Sequence, residues 1–285
     1  MTTATPTVPT PPATTSGLAS IRWTISDALV VTKRNLLKYV RVPTLLIFST
    51  IQPVMFVLLF NYVFGGAIGQ AIPAAAGGEY LNWLMPGLLI QVAAFGSGQT
   101  AIGLTDDLSK GVIDRFRSLP MARSAVLAGR TLSDLMRSAV IIMLMLAVGF
   151  LIGFRWQTDV FGMIGGLIIA GVFAYSLSWV MATIGLAVKD PEAAQAAVFL
   201  PVFPLVFASS VFVPTETMPS WLQTFADNQP ITVTVNALRG LILGEGALPA
   251  GQTTEGQVLL ALVWSFAILA VFAPLAVRIY RRTVG

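Results

Sequence analysis

The residue types that most often do chemistry are scarce in this chain of 285 residues, which contains no histidine and no cysteine. Their absence excludes thiolate and imidazole metal sites, cysteine nucleophiles and histidine acid-base catalysis. None of the lysines follows a glycine, so a Walker-type phosphate loop is absent as well. We therefore expect a chain that is not an enzyme and that has no catalytic residue, no metal site and no cofactor of its own.

The most distinctive charged stretch runs from Lys110 to Pro120, between two long apolar runs. On a helix, its apolar residues would lie on one side and charged residues on another, and Pro120 would end the helix. Such a helix suits either a groove on a soluble partner protein or the lipid headgroup layer. The apolar residues are Val112, Ile113, Phe116 and Leu119, and the charged residues are Lys110, Asp114, Arg115 and Arg117.

Uncharged polar side chains and aromatic rings recur within the apolar runs. A cavity lined by both would suit a large, mostly apolar ligand with a few hydrogen-bonding groups. Hydrogen bonding between neighbouring helices is the commoner use of any single glutamine or serine, and it stays open as the alternative. The residues predicted to line a substrate path are Gln91, Phe95, Gln99, Phe203, Phe207 and Ser209.

Membrane helices must position these residues, because 55% of the chain is hydrophobic and only 11% is charged. Six stretches without a charged residue approach or exceed the roughly 20 residues that a helix needs to cross a bilayer. We predict an all-α polytopic membrane protein with six transmembrane helices. Since none of the six contains an ionisable relay, a proton-driven carrier is disfavoured. The spans are predicted near 44–64, 81–104, 138–155, 160–188, 195–213 and 257–277.

The distribution of basic residues predicts the orientation of these spans. With the N-terminus inside, only Arg155 and Arg239 among the 17 lysines and arginines fall in outer segments. The positive-inside rule therefore predicts that both termini are cytoplasmic. We expect a multi-pass protein of the plasma (inner) membrane. The inner basic residues set the orientation of the spans and attract anionic lipids, which is enough to explain the net charge of +4. We therefore expect no nucleic acid partner.

The chain divides into three predicted regions. Residues 1–16 are rich in Thr and Pro and are predicted to be a disordered tail. Residues 17–42 are predicted to form a cytoplasmic interfacial helix, with an ordinary basic juxtamembrane segment as the alternative. Residues 43–285 form the predicted six-helix domain. Within it, 214–256 reads as a hairpin of two short helices on the outer side, which either seals the bundle or takes part in release of a substrate.

Several sequence pieces together resemble the membrane subunits of daunorubicin/doxorubicin-resistance ABC exporters, which are type-2 ABC export permeases. The first is the charged stretch itself, Ser109–Pro120, in the sequence SKGVIDRFRSLP. The resemblance runs in order from about Lys33 to the C-terminus. The other pieces are Gly153–Arg155, Phe173–Val180, Phe203–Val213, Thr217–Trp221, Asn228–Ile231 and Arg239–Leu241.

The resemblance implies a permease whose energy comes from ATP hydrolysis on separate protein subunits. It implies a second permease copy, expected to make a homodimer, and two copies of a separate ABC ATPase subunit that binds Mg-ATP. Residues 111–119 would be the coupling helix, with Lys110 beside it, and Asp190 would make a second, smaller ATPase contact. The substrate would be a hydrophobic drug-like or lipid-like compound, as in multidrug efflux and antibiotic resistance. The alternatives are a polysaccharide or glycolipid exporter, and an ATPase-independent carrier or scaffold.

Overall fold

The computed structural model describes residues 17–41, 44–69, 72, 79–112, 123–188 and 190–284, and these form helices without a strand. The prediction of an all-α polytopic membrane protein is confirmed. The helices of the described residues are α1 (Gly17–Arg41), α2 (Thr44–Leu59), α3 (Tyr80–Ser109), α4 (Arg123–Ile152), α5 (Val160–Val188), α6 (Pro191–Phe207), α7 (Ser220–Asn228), α8 (Pro230–Leu243) and α9 (Thr254–Val284).

Five stretches of helix in the described part of the chain are long and apolar enough to cross a membrane. The first begins in α2 and continues through one π-helical turn, Phe60–Phe64, into the helical turn Gly65–Ile68. The others lie in α3, α4, α5 and α9. The fifth span of the predicted six corresponds to α6, which has 17 residues and reaches about 25 Å at about 1.5 Å per residue. A complete crossing by that segment stays a prediction, because the hydrocarbon core is about 30 Å thick.

Helix α3 forms the centre of the bundle. Its first half is almost completely buried, and it packs against α4, α5, α6 and α8. Small residues allow the close approaches: a Cβ atom on Gly185 of α5 would lie 2.7 Å from the carbonyl oxygen of Ala101. A Cβ atom on Gly87 would lie 2.5 Å from the carbonyl oxygen of Val211. Backbones therefore touch at both ends of α3, which fixes the helix within the bundle.

One sequence expectation about charge is wrong. The third span was expected to begin near residue 138 and to exclude charge, but α4 begins at Arg123 and carries Arg130, Asp134 and Arg137 within the helix. Asp134 and Arg137 are buried. Their charges are tolerated because they pair with each other and with polar groups of α3, as described below.

The segment after α6 contains two short helices, α7 and α8, as the sequence predicted. They are separated at Gln229, and Pro230 occupies the first position of α8. Pro at this position suits a helix start, because it donates no amide hydrogen. Trp221 and Phe225 of α7 are exposed, whereas nearly all of α8 is buried against the bundle. Helix α1 coincides with the segment predicted to be interfacial, but its place at a membrane surface stays a prediction.

Candidate functional site

Three of the residues predicted to line a substrate path meet at one cavity, between α2, α3 and α4. Gln91, Phe95 and Gln99 follow one another at four-residue spacing, which places them on one side of α3. The cavity has a volume of about 130 Å³. The other residues that line it are Ser49, Gln52, Pro53, Phe56, Val92, Gly96, Arg137 and Ile141.

Gln91 is the most unusual polar residue of this cavity. It is 3% exposed, and its amide oxygen Oε1 has no hydrogen-bond partner among the described residues. A buried acceptor without a partner is destabilising by about 1–3 kcal/mol. A ligand that donates a hydrogen bond to Oε1 would remove that penalty, so this atom is a candidate contact for a substrate hydroxyl or amide.

A second and larger cavity adjoins the first. It has a volume of about 450 Å³ and lies towards the end of α3 that carries Asp106. The two cavities share Ser49, Gln99 and Arg137, so they lie side by side, and we refer to the pair as the cleft. The remaining residues of the larger cavity are Asn35, Phe48, Ile102, Gly103, Asp106, Arg130 and Pro191.

A network of buried charges stands where the cavities meet. The Asp134 carboxylate accepts hydrogen bonds from the Thr100 hydroxyl at 2.8 Å and from Arg130 Nε at 3.1 Å. Its other oxygen lies 4.0 Å from Nε of Arg137. The two guanidinium groups also donate to main-chain carbonyls of α3, Arg130 to Gln99 and Arg137 to Gly96. The network therefore links α4 to α3 by hydrogen bonds, and it places the guanidinium groups of Arg130 and Arg137 beside the cleft.

Two further ion pairs lie at the same end of α3. Lys110 Nζ is 2.7 Å from an Asp106 carboxylate oxygen, and Arg34 of α1 is 3.1 Å from Asp107. The hydrogen bond that Lys110 donates to Asp106, together with the negative charge of that carboxylate, raises the pKa of the Lys110 amine. The first pair is local to the end of α3, and the second joins α1 to α3 just before the predicted coupling stretch.

The coupling stretch itself is described only in part. Gly111 has a positive φ of 64°, a left-handed conformation that favours glycine, and Val112 is half-buried. The next predicted coupling residues lie outside the described residues: Ile113, Asp114, Arg115, Phe116 and Arg117. Asp190 is exposed and caps α6, accepting a hydrogen bond from the backbone amide of Ala193 at 2.8 Å. That contact explains why an aspartate stands at the N-cap of α6. A contact between Asp190 and an ATPase stays a prediction.

The two phenylalanines predicted on the fifth span do not line the cleft, and they belong to a row of neighbouring aromatic rings that begins and ends at the cleft-lining residues Phe95 and Phe56. Phe203 lies 4.3 Å from Phe207, centroid to centroid, and both are partly exposed. Phe95 of the cleft lies 5.9 Å from Phe199, which joins the row to the cleft. The full row, in order of contact, is Phe95, Phe199, Phe203, Phe207, Phe212, Phe60 and Phe56.

Ser209, the last predicted path residue, is buried in the turn after α6. Its hydroxyl donates to the Val206 carbonyl and accepts from the Val211 amide at 3.2 Å. The first hydrogen bond satisfies a carbonyl that the end of α6 leaves unpaired, and the second holds an amide of the turn that follows. The structure thus gives Ser209 a local role in the turn and does not bring it to the cleft.

The polar cluster around Arg239 of α8 was not predicted from the sequence, where Arg239 served only as an outer basic residue and as part of the resemblance at Arg239–Leu241. The side chain is 1% exposed, and its guanidinium carbon lies 3.4 Å from the ring centroid of Trp83. It donates to the carbonyl oxygens of Trp83 and Ser210, to the Ser210 hydroxyl and to the Asn236 amide oxygen. One arginine within an otherwise apolar helix was the available signal.

The Arg239 cluster closes the end of the bundle opposite to Lys110. Tyr80 donates its hydroxyl to the Phe212 carbonyl at 2.7 Å, and Gln229 donates to the carbonyls of Leu205 and Ala208. A cavity of about 160 Å³ beside Arg239 is lined by Trp83 and by residues of the turn and hairpin. Side chains from α3 and the hairpin thus satisfy carbonyls at the end of α6 and in the turn that follows it.

Residues 27–243 match the family described as ABC-2 type transporter. The chain is 35% identical over 257 residues to the daunorubicin resistance ABC transporter permease protein DrrB1 of Streptomyces coeruleorubidus. The matched residues make up 90% of this chain and 87% of that protein. It is 25% identical over 259 residues to the probable doxorubicin resistance ABC transporter permease protein DrrC of Mycobacterium tuberculosis, covering 90% and 89%. It is 27% identical over 225 residues to a putative transport permease, ycf38, of Cyanophora paradoxa, covering 76% and 74%.

Proposed function

This chain belongs to the ABC-2 type transporter family, and from that premise we propose that it is the transmembrane permease subunit of an ATP-driven exporter of hydrophobic drug-like or lipid-like compounds. The observation that carries the proposal is the cleft between α2, α3 and α4. It brings Gln91, Phe95 and Gln99 together inside a bundle of long apolar helices. A mostly apolar lining with a few hydrogen-bonding groups is what such a substrate requires.

The energy for export would come from two copies of a separate ABC ATPase that binds Mg-ATP. The absence of a Walker-type sequence supports this division of labour, because the permease then has no nucleotide site of its own. The predicted coupling stretch at residues 111–119 would dock on the ATPase, and a second copy of this chain would complete the transporter. Closure of the ATPases would pull on α3, since the stretch follows α3 directly.

The chain is a multi-pass membrane protein, and we place it in the plasma membrane with both termini cytoplasmic. The ion pairs near Lys110 then lie on the inner side, and the Arg239 cluster on the outer side. A compound would enter through the charged end of the cleft and move along the row of phenylalanine rings towards the hairpin. Partly exposed rings of α6 support this path, since aromatic faces accept many apolar ligands without directional bonding.

The test begins with a tagged copy of this chain purified from its native membrane. We expect an ABC ATPase to copurify and its ATP hydrolysis to rise when daunorubicin is added, the compound in the name of one relative. Phe116→Ala should abolish that stimulation, because it removes the largest apolar side chain of the docking face. Phe161→Ala, at a ring that is 81% exposed on α5, is the matched control and should leave it unchanged.

Each failure has a separate meaning. If no ATPase copurifies, the chain is an ATPase-independent carrier or scaffold and the proposal fails. If an ATPase copurifies and Phe116→Ala leaves its stimulation intact, the assignment of the coupling helix fails. If hydrolysis responds to a lipid-linked glycan and to no drug-like compound, the chain is a glycolipid exporter.

A further inference from the structure

We propose that Gln91 selects substrates by a hydrogen-bond donor: the smaller cavity of the cleft binds an aromatic ring that carries a hydroxyl group, and this hydroxyl donates to Oε1 of Gln91. The inference rests on the proposed function and deepens it, because it names a specificity-determining residue and the chemical group that this residue recognises. It concerns one ring of the substrate, and the rest of a larger molecule would extend into the larger cavity. Three observations carry it: the position of Gln91 in the cavity, the size and lining of the cavity, and the unpaired amide oxygen.

Gln91 lies at the end of the smaller cavity that is farther from the larger one. The residues that the two cavities share mark the near end, and they are Ser49, Gln99 and Arg137. At about 1.5 Å per residue, Gln91 is about 12 Å along α3 from Gln99. Phe56 of α2 and Ile141 of α4 are likewise displaced from the shared residue of their own helix, by about 10 Å and about 6 Å. These three residues therefore form the far end of the cavity.

The far end has the size and the lining that one aromatic ring requires. Apart from Gln91 its residues are apolar, and Val92 and Ile141 are buried. The cavity volume of about 130 Å³ is close to the roughly 150 Å³ of an apolar cavity that binds benzene. Phe56 and Phe95 also line the cavity, so a bound ring would have aromatic neighbours on two helices.

The amide oxygen of Gln91 makes this end selective. The side chain is 3% exposed, and Oε1 accepts no hydrogen bond from the described residues. A ring with a hydroxyl satisfies this acceptor, whereas a ring of the same shape without a donor covers the oxygen and leaves it unpaired. Where water reaches Oε1, the apolar ring displaces that water without replacing its hydrogen bond. Sites built to pair with a hydroxyl therefore discriminate strongly against analogues that lack it.

The experiment compares two probes that have nearly the same shape and differ in one hydrogen-bonding group. The full-length protein is reconstituted into phosphatidylcholine nanodiscs, and binding of radiolabelled para-butylphenol and para-butyltoluene is measured. Empty nanodiscs give the concentration of each probe in the lipid, to which its affinity is referred. We expect para-butylphenol to bind at least about tenfold more tightly, which corresponds to about 1.4 kcal/mol. Equal binding, or a preference for para-butyltoluene, would overturn the proposal without any variant.

Gln91→Met assigns the preference to one atom, because methionine has a similar length and lacks the amide oxygen. We expect the ratio of the two affinities to fall to about one, since para-butylphenol loses its acceptor and para-butyltoluene no longer covers an unpaired oxygen. Gln257→Met on α9 is the matched control, and it should keep the ratio. Oε1 of Gln257 is also buried without a partner among the described residues, but Gln257 lines neither cavity of the cleft.

The ratio separates selection from a structural role. If Gln91→Met weakens both probes equally and keeps their ratio, Gln91 only supports the fold and the proposal is wrong. If Gln257→Met abolishes the preference as well, the preference does not come from Gln91, and the proposal is again wrong.

A blocking variant covers the case in which Gln91→Met fails to fold. Phe56→Trp enlarges a half-buried ring at the far end and leaves Gln91 intact. Loss of para-butylphenol binding would support the site, and unchanged binding would refute it. Binding is measured without an ATPase, so the preference can be absent while an ATPase copurifies, and the reverse also holds.

Discussion

Arg239 offers the sharpest test of how the hairpin is held, because one side chain joins α8, α3 and the turn after α6. Arg239→Met keeps an unbranched apolar stem of similar length and removes every donor. The Ser210 carbonyl is then left buried without its charged partner, a loss of about 1–3 kcal/mol. The lost contact with the Trp83 ring adds about 2 kcal/mol, since the guanidinium is fully desolvated.

The variant does not pay the desolvation cost of a buried guanidinium, which offsets part of that loss of stability. We therefore expect a net destabilisation of about 3 kcal/mol. For a chain of this size, about 3 kcal/mol corresponds to a fall in apparent Tm of roughly 6–12 °C. Arg239→Lys should lose at least as much, because an ammonium group keeps the cost of burial but cannot reproduce the fork of hydrogen bonds.

The assay is thermal unfolding of purified protein in one detergent at one scan rate, with Arg155→Met as the exposed control. A second readout uses the absence of cysteine: Ala237→Cys is a buried single cysteine of α8, and maleimide labelling reports opening of the hairpin. Labelling should rise when Arg239→Met is added. An apparent Tm within about 2 °C of the wild type, with unchanged labelling, would show that the guanidinium is not a net stabiliser and would refute this reasoning.

Two other predictions concern packing and orientation. Gly185→Ala should lower the apparent Tm, since overpacking against the α3 backbone costs about 1–3 kcal/mol and the gain in helix propensity is only about 1 kcal/mol. Gly66→Ala, at a helical glycine with no atom within 4 Å of the added methyl, should be neutral or stabilising, and equal Tm values for the two variants would contradict the close approach. In intact cells, a membrane-impermeant maleimide should label Thr224→Cys of the exposed hairpin and not Glu192→Cys, and the reverse pattern would invert the topology.

The outline of the fold could be predicted because long uncharged runs have few alternatives to membrane helices. The start of α4 could not be predicted in the same way. The sequence analysis placed Arg130, Asp134 and Arg137 on the inner side before the third span, because it began that span after the last charged residue. Their spacing of four and then three residues places them on one helix face, where they can pair. Their acceptors on α3 are about 30 to 40 residues away in sequence, which no local pattern reveals.

The candidate site was predictable to the extent that it lies on one helix. Gln91, Phe95 and Gln99 share a face of α3 by their spacing alone, and the structure places all three on one cavity. Phe203 and Phe207 share a face of α6, but their position relative to the cleft depends on how α6 packs. Ser209 looked like a residue within a span, whereas α6 ends at Phe207 and the hydroxyl serves the turn. Spacing within one helix therefore fixes which residues share a face, but it says nothing across a helix end, and contact of any of these residues with a substrate stays a prediction.

The arginines missed by sequence reasoning share a mechanical property, because all of them bind main-chain carbonyls of α3. Arg130 and Arg137 hold the carbonyls of Gln99 and Gly96 from α4, and Arg239 holds that of Trp83 from α8. Fixed donors at both ends bind α3 to its neighbours as a rigid body. If an ATPase pulls on the segment after α3, we expect α4 and α8 to move with α3. The cleft would then change shape where α2 faces this rigid body, since α2 supplies the opposite wall at Ser49, Gln52 and Phe56.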